Sequence, residues 1–184
     1  ATVAKFIGNI VHIILFVFVV IASLDQLGVE TTSLVAIVGA AGLAVGLALK
    51  DSLGNFAAGV MLILFKPFRV GHYVEAGGTA GTVKEIKIFA TIMMSPDNKV
   101  ITVPNGSIMS GNITNYSEMP TRRVDMVFGV AYDADLSLVK KTLEEILAAD
   151  DRVLKDPAPV IAVGELADSS VNFLCRPWVK SADF

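Results

Sequence analysis

Two long uncharged segments near the start of this chain most constrain what it can fold into. The first runs from Phe6 to Leu24 and the second from Thr31 to Leu49, with a short polar turn between them. Each approaches the roughly 20 apolar residues that a helix needs to cross a bilayer. Two such segments in succession predict a transmembrane helical hairpin. Two buried helices of a water-soluble protein are the alternative.

The basic residues predict how this hairpin is oriented. Lys5 precedes the first segment and Lys50 follows the second, whereas the turn between them carries only acidic charges. Positively charged residues next to membrane helices stay on the cytoplasmic side. We therefore expect the turn to face outward and the residues after Lys50 to lie in the cytoplasm.

A third apolar stretch, Leu53 to Phe65, is too short to span a membrane. It follows Asp51 and Ser52, whose side chains favour the N-cap position of a helix. The pattern predicts a separate helix that leaves the second span at a sharp bend. Gly54 and Gly59 follow close behind this expected bend.

The composition changes twice in the remainder of the chain. From Phe68 to Ser117, short β-prone runs alternate with turns rich in Gly, Asn and Pro, which predicts a small β-barrel. From Arg122 the order strand, helix, strand, strand predicts a ferredoxin-like α+β domain that is incomplete at Phe184. The expected elements are strand Arg123–Val130, helix Asp135–Ala149, strand Val160–Val163 and strand Ser170–Val179. The predicted domains are residues 1–66, 67–120 and 121–184.

The second segment carries a different residue type on each of three sides of a helix. At about 100° per residue, Leu43 and Leu47 share one face with Lys50. Glycines flank this face on one side and alanines on the other: Gly39, Gly42 and Gly46, then Ala40, Ala44 and Ala48. Small residues let membrane helices approach closely. A dimer of GxxxG type is one explanation, although it accounts for only one flank.

Two unlike flanks favour a head-to-tail contact between copies, and such contacts close into rings. The leucines would then line a pore, which empties of water and closes when it is narrow. Leu43 and Leu47 are the predicted pore seal. Lys50 and Asp51 are predicted at the pore mouth.

Several motifs resemble the small-conductance mechanosensitive channel family of bacteria. They are Ala44–Leu49 (AVGLAL), Asn55–Gly71 (NFAAGVMLILFKPFRVG), the Gly77–Val83 turn, Thr102–Gly106 (TVPNG) and Gly111–Ser117 (GNITNYS). The resemblance covers nearly the whole chain. Asp51 stands where the family often has glycine at the bend of its pore helix, Gly54 is close by, and Gly59 matches a second family glycine. The resemblance thus makes Asp51, Gly54 and Gly59 the candidate hinge residues.

This resemblance implies a homoheptameric channel in the bacterial inner membrane that membrane tension opens to release ions and small solutes during hypoosmotic shock. It implies that Leu43 and Leu47 occupy the pore-sealing positions, that the β domain is Sm-like, and that membrane lipid and further copies of the chain are the partners. It also implies additional membrane helices before Phe6 and a further helix and strand after Phe184.

Other classes of function have little support in the sequence. The net charge is −3 and no basic stripe is present, so nucleic-acid binding is not expected. His12 and His72 lack neighbouring ligands at metal-binding spacing, so no metal or cofactor is expected. No nucleophile and base occur in a catalytic arrangement, and we do not expect an enzyme. A membrane-anchored protein with a cytoplasmic ligand-binding domain remains the alternative, and a membrane enzyme is the third possibility.

Overall fold

The computed structural model describes residues 2–184, with side chains described at Lys5 and from Gly8 onward. Contacts between residues divide the chain into two units. The first ends at Gly54 and the second runs from Asn55 to Phe184. The boundary lies before the predicted one at residue 66, because Leu62 is fully buried in the hydrophobic core of the second unit.

The first unit contains the two predicted membrane helices. Helix α1 spans Thr2–Gln26 and helix α2 spans Thr32–Ala48. Gly8–Gln26 is long and apolar enough to cross a membrane. Helix α2 has 17 residues and rises about 25 Å, which is short of a bilayer core of about 30 Å. Helix α2 and the helix that follows it qualify only together, as one bent span.

The chain bends by 58° where α2 meets helix α3, which spans Lys50–Phe65. The break lies at Leu49, inside the first unit, and Leu49 itself keeps right-handed helical dihedral angles. Helix α3 thus begins three residues before the predicted Leu53, and Asp51 lies in its first turn. A carboxylate at this position is favoured by the positive end of the helix dipole.

A five-stranded antiparallel sheet follows α3, in the spatial order β4-β3-β2-β1-β5. Its strands are β1 (Tyr73–Ala76), β2 (Thr79–Ile86), β3 (Ala90–Met94), β4 (Val100–Pro104) and β5 (Thr114–Asn115). The predicted Gly77–Gly78 turn joins β1 to β2, and both glycines have positive φ angles, as a two-residue hairpin requires. A short helix that was not predicted, α4 (Asn105–Met109), follows β4.

The core of this region is built from alternate strand residues and from two residues around the end of α3. Leu62 and Phe68 pack against buried side chains of the sheet and α4: Val74, Ala76, Val83, Met93, Val103 and Ile108. Alternation of this kind arises because successive strand side chains point to opposite faces. The second half of α3 is therefore part of the β domain's core.

The last third of the chain forms an α+β arrangement. Strands β7 (Met126–Val130), β9 (Val171–Arg176) and β8 (Val160–Leu166) form an antiparallel sheet, and helix α5 (Leu136–Ala149) lies between β7 and β8 in sequence. Asp135 caps α5 by accepting hydrogen bonds from the backbone N–H groups of Ser137 and Leu138. A second pair, β6 (Thr121–Arg123) with β10 (Trp178–Lys180), joins the two ends of this region.

Two strands predicted as continuous are interrupted. The expected strand Arg123–Val130 is divided between β6 and β7, and the expected strand Ser170–Val179 between β9 and β10. Pro177 separates the second pair because it has no N–H to donate to a ladder, while its carbonyl accepts from the backbone N–H of Val124. Cys175, predicted as a core residue, is buried, and burial raises the pKa of its thiol.

Candidate pore helix and its attachment to the β domain

Helix α2 is largely exposed in the single chain. None of its residues is buried, and the predicted sealing residues Leu43 and Leu47 are 66% and 64% exposed. An apolar helix with this little cover in one chain requires lipid or further protein around it. The leucine stripe is thus available to a neighbouring copy or to a pore.

The glycine flank of α2 is open in the single chain. A Cβ atom added at Gly39, Gly42 or Gly46 would meet no atom within 4 Å. Alanines on the other flank, Ala40, Ala44 and Ala48, are likewise exposed. Within the part of the chain that the structure describes, these small residues are thus exposed, and small residues on a membrane helix allow a neighbouring helix to approach closely.

Lys50 and Asp51 lie on the far side of the break at Leu49 and belong to α3. The regular helical spacing that placed Lys50 on the leucine face does not extend through a 58° bend. Both residues are exposed. Their position at a pore mouth stays a prediction.

The other predicted hinge residues lie within α3, which is continuous through Gly54 and Gly59. A Cβ atom at Gly54 would meet nothing within 4 Å. A Cβ atom at Gly59 would lie 2.2 Å from the carbonyl oxygen of Ile88 and 2.6 Å from Nδ2 of Asn105. Gly59 is therefore the point at which α3 approaches the β domain most closely, and a side chain there cannot be accommodated without movement of the backbone.

Asn105 is fully buried and connects the segments around this contact. Its Oδ1 accepts a hydrogen bond from the Thr91 hydroxyl at 2.8 Å, and its Nδ2 donates to the carbonyls of Lys87 and Ile88 at 2.9 and 3.0 Å. Its backbone N–H donates to the carbonyl of Phe89. Buried polar groups of this kind are stable only when their hydrogen bonds are made, so Asn105 fixes the β2–β3 loop against α4.

A second hydrogen bond ties α3 to the same turn. The backbone N–H of Gly106 donates to Oδ1 of Asn55 at 2.8 Å, across 51 positions of sequence. Phe56, the next residue of α3, lies with its ring 6.2 Å from that of Phe89. Asn55, Gly59 and Leu62 follow the spacing of one helix face, and this face holds α3 on the β domain.

Sequence reasoning missed this attachment. Asn55 and Asn105 were noted only as members of motifs, without a role. The available signal was an asparagine inside the apolar helix α3 and another directly after Pro104, a position where a polar side chain often bonds to the backbone. Neither pattern indicates the hydrogen-bond partners, because each asparagine reaches its partners only after the strands between them fold.

Three consecutive family models match the chain. The transmembrane helices 2/3 of the mechanosensitive ion channels match residues 9–50, the β-domain of the same channels matches residues 51–118, and the C-terminal part of MscS matches residues 124–184. Together they account for both units of the structure. Their order along the chain is that of the helices, the five-stranded sheet and the α+β region.

Individual relatives agree with this assignment. A small-conductance mechanosensitive channel of Edwardsiella ictaluri is 53% identical over 183 residues, which is 100% of this chain and 64% of that protein. A channel of the same name from Helicobacter pylori is 34% identical and is covered over 66% of its length. The chain thus spans less than two thirds of these relatives.

A solved structure has the same fold. The crystal structure of Helicobacter pylori MscS in a closed state superimposes with a TM-score of 0.89 at 34% identity, over 98% of this chain and 71% of that one. The chain therefore belongs to the MscS family of mechanosensitive ion channels. The resemblance drawn from the sequence motifs is confirmed.

Proposed function

We propose that this chain is a subunit of a channel that membrane tension opens to release ions and small solutes under hypoosmotic shock. The observation that carries this proposal is the match of three consecutive channel-family models from residue 9 to residue 184. Tension favours the state that occupies the larger area in the membrane. A ring of helices that widens is selected by that force.

In this proposal α2 lines the pore, and Leu43 and Leu47 form two apolar rings one helical turn apart. Water in a narrow apolar neck loses hydrogen bonds, so the neck empties and blocks ions until it widens. The open glycine flank of one copy receives the alanine flank of the next. The exposure of both flanks in the single chain supports this packing.

The surroundings of the pore complete the proposal. The chain is a multi-pass protein of the bacterial inner membrane, with the residues after Lys50 in the cytoplasm and lipid around α1. Seven copies form the ring. The five-stranded sheet is an Sm-like barrel, and the α+β region is a ferredoxin-like domain that a further helix and strand complete. The chain has no role as an enzyme, and it binds no nucleic acid.

Recording from the full-length protein in liposomes tests the activity directly. We expect channel openings whose probability rises with suction on the patch and which are absent from protein-free liposomes. A reconstituted protein that stays silent up to membrane rupture would contradict the proposal and favour a membrane-anchored ligand-binding protein.

The symmetry of the purified particles tests the ring separately. Sevenfold symmetry is the expected result, and any other symmetry overturns the heptamer alone.

Packing of the glycine flank can be tested at Gly46. Gly46→Val is expected to change the opening tension, because added side-chain volume separates neighbouring helices more in a closely packed state than in a loose one. Val45→Phe, which also adds side-chain volume to α2, is the matched control, since Val45 lies about 160° from Leu43 and about 60° from the nearest residue of either flank. Unchanged gating and assembly in a triple variant with Val at Gly39, Gly42 and Gly46 would contradict the packing.

Ion preference is expected to be weak, with at most a modest excess of anions. A ring of Lys50 side chains favours anions, whereas Asp51 beside it reduces that field and salt screens charges beyond about 8 Å. Lys50→Glu should shift the reversal potential in asymmetric salt toward cation preference. Lys66→Glu, at the other end of α3, is the control. If Lys50→Glu leaves the anion-to-cation permeability ratio unchanged, Lys50 lies at lipid headgroups and not at the pore mouth.

A further inference from the structure

An open cleft of about 650 Å³ lies in the second unit. Its walls come from strands β1 and β2, the segment after β5, strand β6 and the last four residues of the chain. Tyr73, Glu75, Tyr116, Arg122 and Phe184 line it, so the cleft combines three aromatic rings with one cationic side chain and one side-chain carboxylate. Nothing in the proposed gating of the channel uses these side chains.

Arg122 lies over two aromatic rings of this cleft. Its guanidinium carbon lies 3.4 Å from the centre of the Phe184 ring and 4.9 Å from the centre of the Tyr116 ring. Within residues 2–184 as described, its side chain makes no hydrogen bond or ion pair. A guanidinium carries five N–H donors, and its contacts with the two rings use none of them, so these donors remain available to a ligand in the cleft.

The neighbouring arginine shows the contrast. Arg123 follows on the opposite face of β6, and its Nε donates to Asp125 at 2.6 Å. Asp125 thus accepts hydrogen bonds from the guanidinium of Arg123. The corresponding donors of Arg122 have no such carboxylate partner among the described residues. An oxygen pair of a planar carboxylate matches these donors in two parallel hydrogen bonds.

Glu75 defines the other side of the cleft. Its carboxylate accepts a hydrogen bond from the Tyr116 hydroxyl at 2.9 Å, and this contact raises the pKa of Tyr116, which the positive charge of Arg122 partly opposes. A fixed negative charge here repels a doubly charged anion such as phosphate. It attracts a ligand that has a cationic group near its carboxylate.

Further groups in the cleft fit a small polar ligand. The rings of Tyr73 and Tyr116 lie 5.8 Å apart and offer an aromatic surface that attracts an ammonium group. The Ser117 hydroxyl accepts from the backbone N–H of Tyr73 and keeps its own proton to donate. The cleft is large enough for a molecule of amino-acid size.

We propose that this cleft binds a small zwitterion of the amino-acid class, with its carboxylate on Arg122 and its ammonium group on Glu75 and the tyrosine rings. The site is independent of the pore and does not require the chain to act as a channel. Binding, not gating, is therefore the property to measure.

Saturation-transfer NMR on the full-length protein in nanodiscs tests the site with L-alanine, acetate, methylammonium and phosphate as separate probes. We expect L-alanine to bind more tightly than acetate or methylammonium, and phosphate to bind least. Arg122→Gln should weaken L-alanine and acetate about tenfold, since charge-assisted hydrogen bonds are lost. Arg122→Lys keeps the charge without the planar donors, so its affinity for L-alanine and acetate should lie between those of the wild type and Arg122→Gln.

Glu75→Gln separates the two halves of the site. It should weaken the binding of L-alanine and methylammonium, while acetate should bind as tightly as before or more tightly. The amide oxygen of the glutamine can still accept the hydrogen bond from the Tyr116 hydroxyl. Arg152→Gln is the control, because Arg152 pairs with Asp150 outside the cleft. Equal L-alanine binding by the wild type and Arg122→Gln overturns the site. If phosphate binds as tightly as L-alanine, the proposed ligand class is wrong. If Arg122→Gln fails to fold, Glu75→Gln still tests the site.

Discussion

Leu47→Ser is expected to lower the membrane tension at which the channel opens, or to leave it leaking at rest. A hydroxyl in the narrowest part of an apolar neck gives water a hydrogen-bond partner, so the neck stays wet at a diameter at which leucine would empty it. Leu43→Ser should act in the same direction. Patch recordings give the opening tension, and slowed growth of cells that express the variant reports a leak.

The control for this prediction lies on the same helix. Val45 is 58% exposed, comparable with the leucines, and it projects about 160° away from Leu43. Val45→Ser thus introduces the same group into α2 without entering the predicted pore. If both leucine variants gate like the wild type, or if Val45→Ser matches them, α2 does not seal the pore through this stripe.

Gly59→Ala is expected to weaken the attachment of α3 to the β domain. The new methyl carbon would lie 2.2 Å from the Ile88 carbonyl oxygen, so either the helix or the β2–β3 loop must move. Overpacking of this kind costs about 1–3 kcal/mol, and it also disturbs Asn105. Thermal unfolding of the purified protein and hydrogen exchange at the backbone amides of residues 105 and 106 measure the loss.

Gly54→Ala provides the matched comparison within the same helix. Its added carbon would meet nothing within 4 Å in the chain, and replacing a helical glycine by alanine stabilises by about 0.5–1 kcal/mol. The two substitutions should therefore change stability in opposite directions. If Gly59→Ala stabilises the protein as much as Gly54→Ala does, the close contact at Gly59 does not hold α3 in place.

The elements that the sequence predicted well are those with a local signal. The five strands of the sheet appeared as short β-prone runs between turn residues, and the Gly77–Gly78 hairpin followed from the conformations that glycine allows. The start of α5 followed from Asp135, which caps it. Interactions of this kind involve residues only a few positions apart, so their pattern is visible without knowledge of the fold.

The break between α2 and α3 had a weaker signal. The residue at the break is Leu49, not a proline or a glycine. The predicted start of α3 depended on Asp51 and Ser52 as caps. The helix instead resumes at Lys50, so Asp51 lies in its first turn. A bend without a helix-breaking residue depends on what each helix packs against, and the sequence of the bend itself does not contain that information.

The sequence by itself determined the two successive apolar helices, the order of helices, sheet and α+β region, the leucine stripe with its two small flanks, and the family. These depend on hydrophobicity, on helical and strand periodicity, and on motif order. Only the tertiary structure decided that Gly59 and not Gly54 lacks space for a side chain, that Asn105 joins α3's docking site to the β2–β3 loop, and that Arg122 lies over two aromatic rings with its donors available. These features join residues far apart in sequence, such as Gly59 with Asn105 and Arg122 with Phe184, and such contacts exist only once the intervening strands have paired.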